Sequence, residues 1–210
     1  MKQKGRFNYV ALIAILFAGL LAILFLSRGF STESGSVGLN KEVGVGEKAA
    51  PFAVPIAMSD LDGDANVDPE QACSVAGDDV LRICDFFDRP LVMSFWFTKG
   101  ASSCIDQQDA FEEVAAEYSA RAGFVSINVR DDRDRVRELI EENDWKVLVG
   151  YDRDGAVSNL YRVGGCPTYL FYREGGVLRN AEIGNTTSEE LGAQVRSLID
   201  GQSKAEQETP

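Results

Sequence analysis

The segment Pro90-Leu-Val-Met-Ser-Phe-Trp-Phe-Thr-Lys-Gly-Ala-Ser-Ser-Cys104 decides the fold. Its first half, Leu91 to Phe97, is a continuous apolar run of the kind that suits a central strand buried on both faces. Its second half is a loop of small residues that delivers Cys104 to the start of a helical pattern. In that pattern Phe111, Val114, Ala115 and Tyr118 recur at three- and four-residue spacing, which sets one apolar stripe against a sheet. Working outward, Phe124 to Val129 reads as the next strand, Val136, Leu139 and Ile140 as a helix from about Asp132, and Val147 to Val149 as a further strand. A short helix over Ala156 to Tyr161 leads to a strand at Thr168 to Tyr172, and Glu174-Gly-Gly176 signals a hairpin turn into Val177 to Ile183. Leu191, Val195, Leu198 and Ile199 make a final amphipathic helix. Strands alternating with helices and closing in a hairpin predict an α/β layer fold, a central mixed sheet flanked by helices.

Several of these residues carry a family resemblance. Phe95-Trp96 before the loop, Cys104 entering a helix with Phe111 on its inner face, Gly165-Cys166-Pro167-Thr168, and the opening segment Val45-Gly-Glu-Lys-Ala-Ala-Pro51-Phe52 are similar to the membrane-tethered thioredoxin-like thiol-disulfide reductases of the TlpA/ResA type. The resemblance covers roughly Val45 to Ile199 and implies a thioredoxin-like fold. It also implies that Cys104 corresponds to the second, normally buried, cysteine of the family's Cys-x-x-Cys motif, that Pro167 is cis, and that its loop packs against the helix Cys104 begins. The sequence departs from the pattern twice. Ala101 stands where the motif has its attacking thiol, and a cysteine, Cys166, precedes the proline.

Residues Tyr9 to Leu26 are almost wholly apolar and long enough to cross a bilayer, with Lys2, Lys4 and Arg6 ahead of them. By the positive-inside rule this is a cytoplasmic stub (1–7) and a transmembrane anchor (8–27) that places the rest of the chain outside the cytoplasm. A cleavable signal peptide is the competing reading, but Ser27-Arg-Gly-Phe-Ser-Thr contains no Ala-x-Ala cleavage site. A Gly- and Ser-rich flexible linker (28–46), a thioredoxin-like domain (47–200) with a polar acidic insert at about 57–81, and a disordered tail (201–210) complete the expected organisation. The formal charge of −12 excludes nucleic acid as a partner, because a phosphate backbone selects basic faces. The chain has no histidine, which removes Ser-His and Cys-His nucleophilic machinery and all imidazole metal sites, and sets it apart from the copper-carrying relatives of this fold.

Four cysteines allow three pairings. Cys73 and Cys84 lie in or beside the polar insert, and in an exported protein a local structural disulfide is the plain reading. Cys104 and Cys166 belong to the two segments that, by the resemblance, meet at the redox centre. Ser103 followed by Asp106 reads as a capping pair that places Cys104 at a helix N-terminus, where free N–H groups and the helix dipole favour a thiolate; Lys99 would add to this if the loop folds back. Cys104 is thus the expected attacking thiol, with Cys166 its resolving partner and Pro167, Trp96, Ser103 and Lys99 in support. The opposing reading is a relic thiol, or a second structural disulfide.

The insert contains Asp60-Leu-Asp62-Gly-Asp64-Ala-Asn66-Val-Asp68, oxygen ligands at alternate positions as in EF-hand calcium loops. It departs from those loops at Ala65, where a glycine makes the sharp turn, and at Gln71, where a carboxylate closes the site. An ordinary turn between the first two strands explains the same residues, so no cofactor is expected beyond this candidate calcium ion.

These readings converge on an extracytoplasmic, membrane-anchored thioredoxin-like oxidoreductase whose partners are protein thiols or disulfides outside the cytoplasm. Two alternatives stand beside it: a silent thioredoxin-fold binding module, and a peroxiredoxin-like peroxidase. Ala101, where those peroxidases have threonine, and the lack of an arginine adjoining Cys166 speak against the latter.

Overall fold

A computed structural model describes residues 44–99 and 103–207, the side chains of Ser103 and 202–207 excepted. The stub at 1–7, the anchor at 8–27 and nearly all of the linker lie outside the described residues. Among the described residues no helix is long and apolar enough to cross a membrane.

The apolar run at the centre of the sequence becomes β3 (Leu91–Trp96), buried along its whole length. Alternation of side chains across a strand sends Leu91, Met93 and Phe95 to one face, where they join Phe52, Val54, Ile83, Tyr161, Leu170 and Tyr172. Val92 faces the other way, among Phe111, Val114, Tyr169, Leu191 and Val195. Two apolar faces are needed because other parts of the chain cover both sides of the sheet, and this is why β3 reads as continuous rather than alternating.

Around β3 the strands are β4 (Gly123–Val129), β5 (Leu148–Asp152), β6 (Thr168–Arg173) and β7 (Val177–Ile183), in the spatial order β5-β4-β3-β6-β7. The pairs β3–β4 and β4–β5 are parallel; β3–β6 and β6–β7 are antiparallel, which makes the sheet mixed. The helices are α1 (Ser103–Tyr118), α2 (Arg133–Glu142), α3 (Ala156–Leu160) and α4 (Ser188–Gln207). Asp132 caps α2 by accepting the Arg135 amide at 3.2 Å.

Three elements differ from the expectations drawn from sequence. The segment from 57 to 79 connects β1 (Ala53–Pro55) to β2 (Val80–Arg82), which pair antiparallel as a separate two-stranded sheet, so the insert closes two residues before Leu81. Its start is fixed by the Arg133 guanidinium, which donates to the carbonyls of Ile56, Ala57, Ser59 and Leu61 at 2.7, 3.1, 2.7 and 2.6 Å. Next, β5 runs on through Gly150. A Cβ there would sit 2.6 Å from Val54 Cγ2, so the glycine marks the close approach of the β1 segment. Finally, α4 continues to Gln207 where a disordered tail was expected from 201; Gln202, Lys204, Ala205, Glu206 and Gln207 are good helix formers that propagate an established helix.

Candidate active site

Strand register assembles the site. In the β3–β6 ladder Phe95 pairs with Thr168, which sets the residues just before Thr168 beside the C-terminal end of β3. Those residues are Cys166 and Pro167, joined by a cis peptide bond, with Pro167 buried. Thr168 Oγ1 donates to Gly165 O at 2.8 Å and the Gly184 amide donates to Pro167 O at 3.0 Å, so the loop is pinned on both sides of the cysteine.

The chain leaving β3 is held from β4's end. Asp131 Oδ2 accepts the Thr98 amide at 2.7 Å and Asn128 Nδ2 at 2.8 Å, while Oδ1 accepts the Thr98 hydroxyl at 2.8 Å. This carboxylate is only 5% exposed, and three donors compensate its desolvation. The chain next described beyond this clamp is α1. Its first residue is Ser103 and Cys104 lies in its first turn, where backbone N–H groups have no helical partner.

Cys104 and Cys166 form a disulfide with their Cα atoms 5.8 Å apart, a normal span for such a bond. Cys104 has no exposed surface; Cys166 is only partly buried and packs against the cluster of Trp96, Trp145, Val136 and Tyr151. Trp96 lies edge-on to Trp145 at 5.3 Å, and its buried Nε1 has no protein acceptor. One turn beyond Cys104, Gln108 Oε1 accepts the hydroxyls of Ser94 and Ser126 at 3.3 and 3.2 Å in a buried polar cluster beneath the helix. Burial, with Glu182 adding to it, raises the pKa of Tyr169, whose hydroxyl donates to Gln107 O at 3.1 Å and ties α1 to β6.

The predicted site residues divide into those the fold gathers and those it does not. Cys104, Cys166, Pro167 and Trp96 are brought together. Lys99 is not directed to the helix start, because its ammonium donates to Arg130 O at 3.3 Å. The Ser103 cap and Ala101 lie outside the described residues. The attacking role given to Cys104 meets a residue with no exposed surface. Asp131, Asn128, Ser94 and Gln108 were missed; the one available signal was Ser94, a polar residue inside an apolar strand.

Cys73 and Cys84 form the other disulfide, with Cα atoms 5.7 Å apart, joining the 3₁₀ turns Ala72–Ser74 and Ile83–Phe86 within the β1–β2 unit. No cysteine is free. In the acidic loop Asp62 and Asp64 both face Arg153, at 2.7 and 2.8 Å. Asn66 Oδ1 accepts the Asp68 amide, Asp68 accepts the Glu70 amide and the Gln71 side chain, and Asp60 lies 3.5 Å from Arg137. These oxygens balance arginines or make turns instead of converging on a point. Among the described residues no group of three or more His, Cys, Asp or Glu side chains is arranged to hold a metal.

Comparison with known proteins agrees with this architecture. The thiol-disulfide oxidoreductase ResA of Oceanobacillus iheyensis is 23% identical over 191 residues, covering 90% of this chain and 89% of that protein. A candidate thiol:disulfide interchange protein DsbE of Chlorobium tepidum superimposes with a TM-score of 0.61 at 19% identity, over 75% of this chain and 99% of its own. A DsbF homologue of Corynebacterium diphtheriae gives 0.58 at 17% identity, over 74% and 90%. Both establish the thioredoxin-like fold. Residues 45–181 match the AhpC/TSA family, and since that stretch holds β1 to β6 and both ends of the Cys104–Cys166 bond, the chain belongs to that family.

Proposed function

We propose that this protein is a thiol-disulfide oxidoreductase working through the Cys104–Cys166 pair on protein thiols or disulfides. The observation that carries the reading is the bond between the first turn of α1 and the residue before Pro167, a juxtaposition built by the β3–β6 register and by the Asp131 clamp. A disulfide exchanges by thiolate attack on one sulfur, release of the other and resolution of the mixed disulfide. This pair supplies both sulfurs without the thiol missing at Ala101. Cys73–Cys84 is the structural staple of the β1–β2 unit.

The binding-module reading draws on the same fact that all four cysteines are bonded. The two part on whether the Cys104–Cys166 bond opens in the folded chain. Incubating the chain with dithiothreitol at neutral pH, alkylating and mapping peptides decides between them: a working pair is reduced while the protein stays folded, and in a separate mixture the oxidised chain takes two electrons from one equivalent of a model dithiol peptide, whereas a bond that opens only on unfolding refutes the reading.

We also infer that residues 8–27 anchor the domain outside the cytoplasm, an inference resting on Lys2, Lys4 and Arg6 ahead of the apolar run and on the disulfides, which persist in oxidising compartments. A reporter fused after Pro210 that is active only outside the cytoplasm, with the chain retained in the membrane after salt washing, is the expected outcome. Release of a shortened soluble form refutes it.

A further inference from the structure

We propose that Cys166 is the cysteine that meets the substrate and that Cys104 resolves, the reverse of the order a helix-borne thiol would suggest. The inference rests on the oxidoreductase reading above and assigns the roles within it.

Two independent properties point the same way. The first is access. Exchange passes through a mixed disulfide formed at whichever sulfur a partner reaches. Cys104 is 0% exposed, whereas Cys166 keeps part of its surface open. Of the two glycines ahead of Cys166, Gly164 borders open space, a Cβ there meeting nothing within 4 Å, while Gly165 lies against Ile183, whose Cγ2 would be 3.0 Å from a Cβ. The second is the leaving group. The sulfur with the lower thiol pKa leaves faster, and a helix N-terminus lowers that pKa. Cys104 lies in the first turn of a helix of 16 residues; Cys166 lies on a loop leading into a strand. Attack at Cys166 therefore leaves the electron pair on a sulfur beside unpaired helix N–H groups, whereas attack at Cys104 would have to reach a buried atom and leave the pair on a loop sulfur without them.

Each step of the exchange balances. A substrate thiolate attacks Cys166 Sγ, the Cys104–Cys166 bond breaks, and its electron pair stays on Cys104 Sγ. The substrate's second thiol loses its proton to solvent and attacks the substrate sulfur of the mixed disulfide, releasing Cys166 as a thiolate. Two electrons have moved from the substrate dithiol to the cysteine pair, which takes up two protons from solvent. In the reductive direction the same steps run backwards through the same mixed disulfide: Cys166 attacks a substrate disulfide and Cys104 displaces the product thiol. Cys104 then does what its buried place allows, which is to act intramolecularly.

The test traps the intermediate on the unaltered protein. The oxidised full-length chain is mixed briefly with excess reduced glutathione, quenched with acid, alkylated and mapped by peptide mass. Glutathione is expected on Cys166, with Cys104 alkylated, in about tenfold excess over the opposite arrangement. Reduced Cys104→Ser incubated with glutathione disulfide should hold a stable adduct at Cys166, and reduced Cys166→Ser should form one at Cys104 about tenfold more slowly. Glutathione found first on Cys104 in the wild-type chain overturns the order of the thiols and leaves the oxidoreductase reading standing. If neither cysteine takes glutathione in the folded wild-type chain, both are overturned. The wild-type arm needs no variant to fold.

Discussion

Replacing Asp131 by alanine tests whether the site is held in place by a buried carboxylate. The substitution removes the acceptor for Thr98 N, Thr98 Oγ1 and Asn128 Nδ2 together. Asn128 is 0% exposed and its Oδ1 is already without a partner, so its amide would lose its compensation with no water to replace it. A buried donor stranded in this way costs about 2–3 kcal/mol, and the half-buried Thr98, which can regain water, adds about 1 kcal/mol, giving a loss of about 3–4 kcal/mol. Asp131→Asn keeps one acceptor oxygen but turns an N–H₂ group toward a donor, so its loss should fall near half of that. Urea unfolding followed by fluorescence reads this well, because the chain's two tryptophans, Trp96 and Trp145, meet edge-on in the cluster beside the site. At an m-value of about 2 kcal/mol/M the alanine midpoint should drop by about 1.5–2 M. The reasoning fails if Asp131→Ala loses less than about 1 kcal/mol with an unchanged m-value, since three buried or half-buried donors would then have found other partners.

Gly176 has φ +75° and a Cβ there would sit 2.9 Å from the Phe87 ring, whereas Gly175 has φ +80° and open space around it. Gly175→Ala should therefore cost about 1 kcal/mol and Gly176→Ala about 2–3 kcal/mol by the same unfolding assay; equal losses would remove Phe87 from the account. Non-reduced peptide mapping should recover Cys73 linked to Cys84, and replacing both by serine should cost about 3 kcal/mol from opening a loop with a sequence separation of 11; alkylation of either residue in the unreduced protein would contradict this. Burial raises the Asp152 carboxyl above its ordinary 3.8, outweighing the amides of Val157 and Ser158 that it accepts. A raised folded-state value means that its contribution is full below the unfolded value and is lost as pH rises through the folded one. Stability measured against pH should show that decline in the wild type and a flatter curve in Asp152→Asn, and parallel curves would refute the assignment.

What the sequence makes legible is whatever one segment decides by itself. A run apolar at every position but Ser94 from Leu91 to Phe97 has to be covered on both sides, and it is. The stripe of Phe111, Val114, Ala115 and Tyr118 has to face a sheet, and the Gly-Gly pair at 175–176 has to turn. What stays illegible depends on residues distant in the chain. Asp131 reaches Thr98 across 33 positions and looks, in sequence, like one more acid in a charged run. Gly150 reads as the end of a strand; only the approach of Val54 from β1 shows that the strand continues there because a side chain would not fit. The candidate site divides the same way. That Cys104 opens a helix is a local property, but its bonding to Cys166, 62 positions away, depends on the β3–β6 register.

That distance bears on how a redox pair can work without a Cys-x-x-Cys motif. Closing a 62-residue loop in an unfolded chain costs about 4 kcal/mol, against about 2 kcal/mol for the short loop of a Cys-x-x-Cys pair. If the bond itself had to meet that cost, its formation would be unfavourable beside that of a local pair. The native fold meets it first. The ladder from Leu91↔Tyr172 to Phe95↔Thr168, the Pro167 and Thr168 hydrogen bonds, and the Tyr169 contact to α1 hold the two segments together through groups that do not involve sulfur. With the loop already closed by the sheet, two thiols in this place are neighbours whether bonded or not, and opening the disulfide releases no chain. Two segments of a folded sheet can therefore do what one helical turn does in the usual motif, provided the clamp at Asp131 and the loop at Pro167 keep their positions while the sulfurs part.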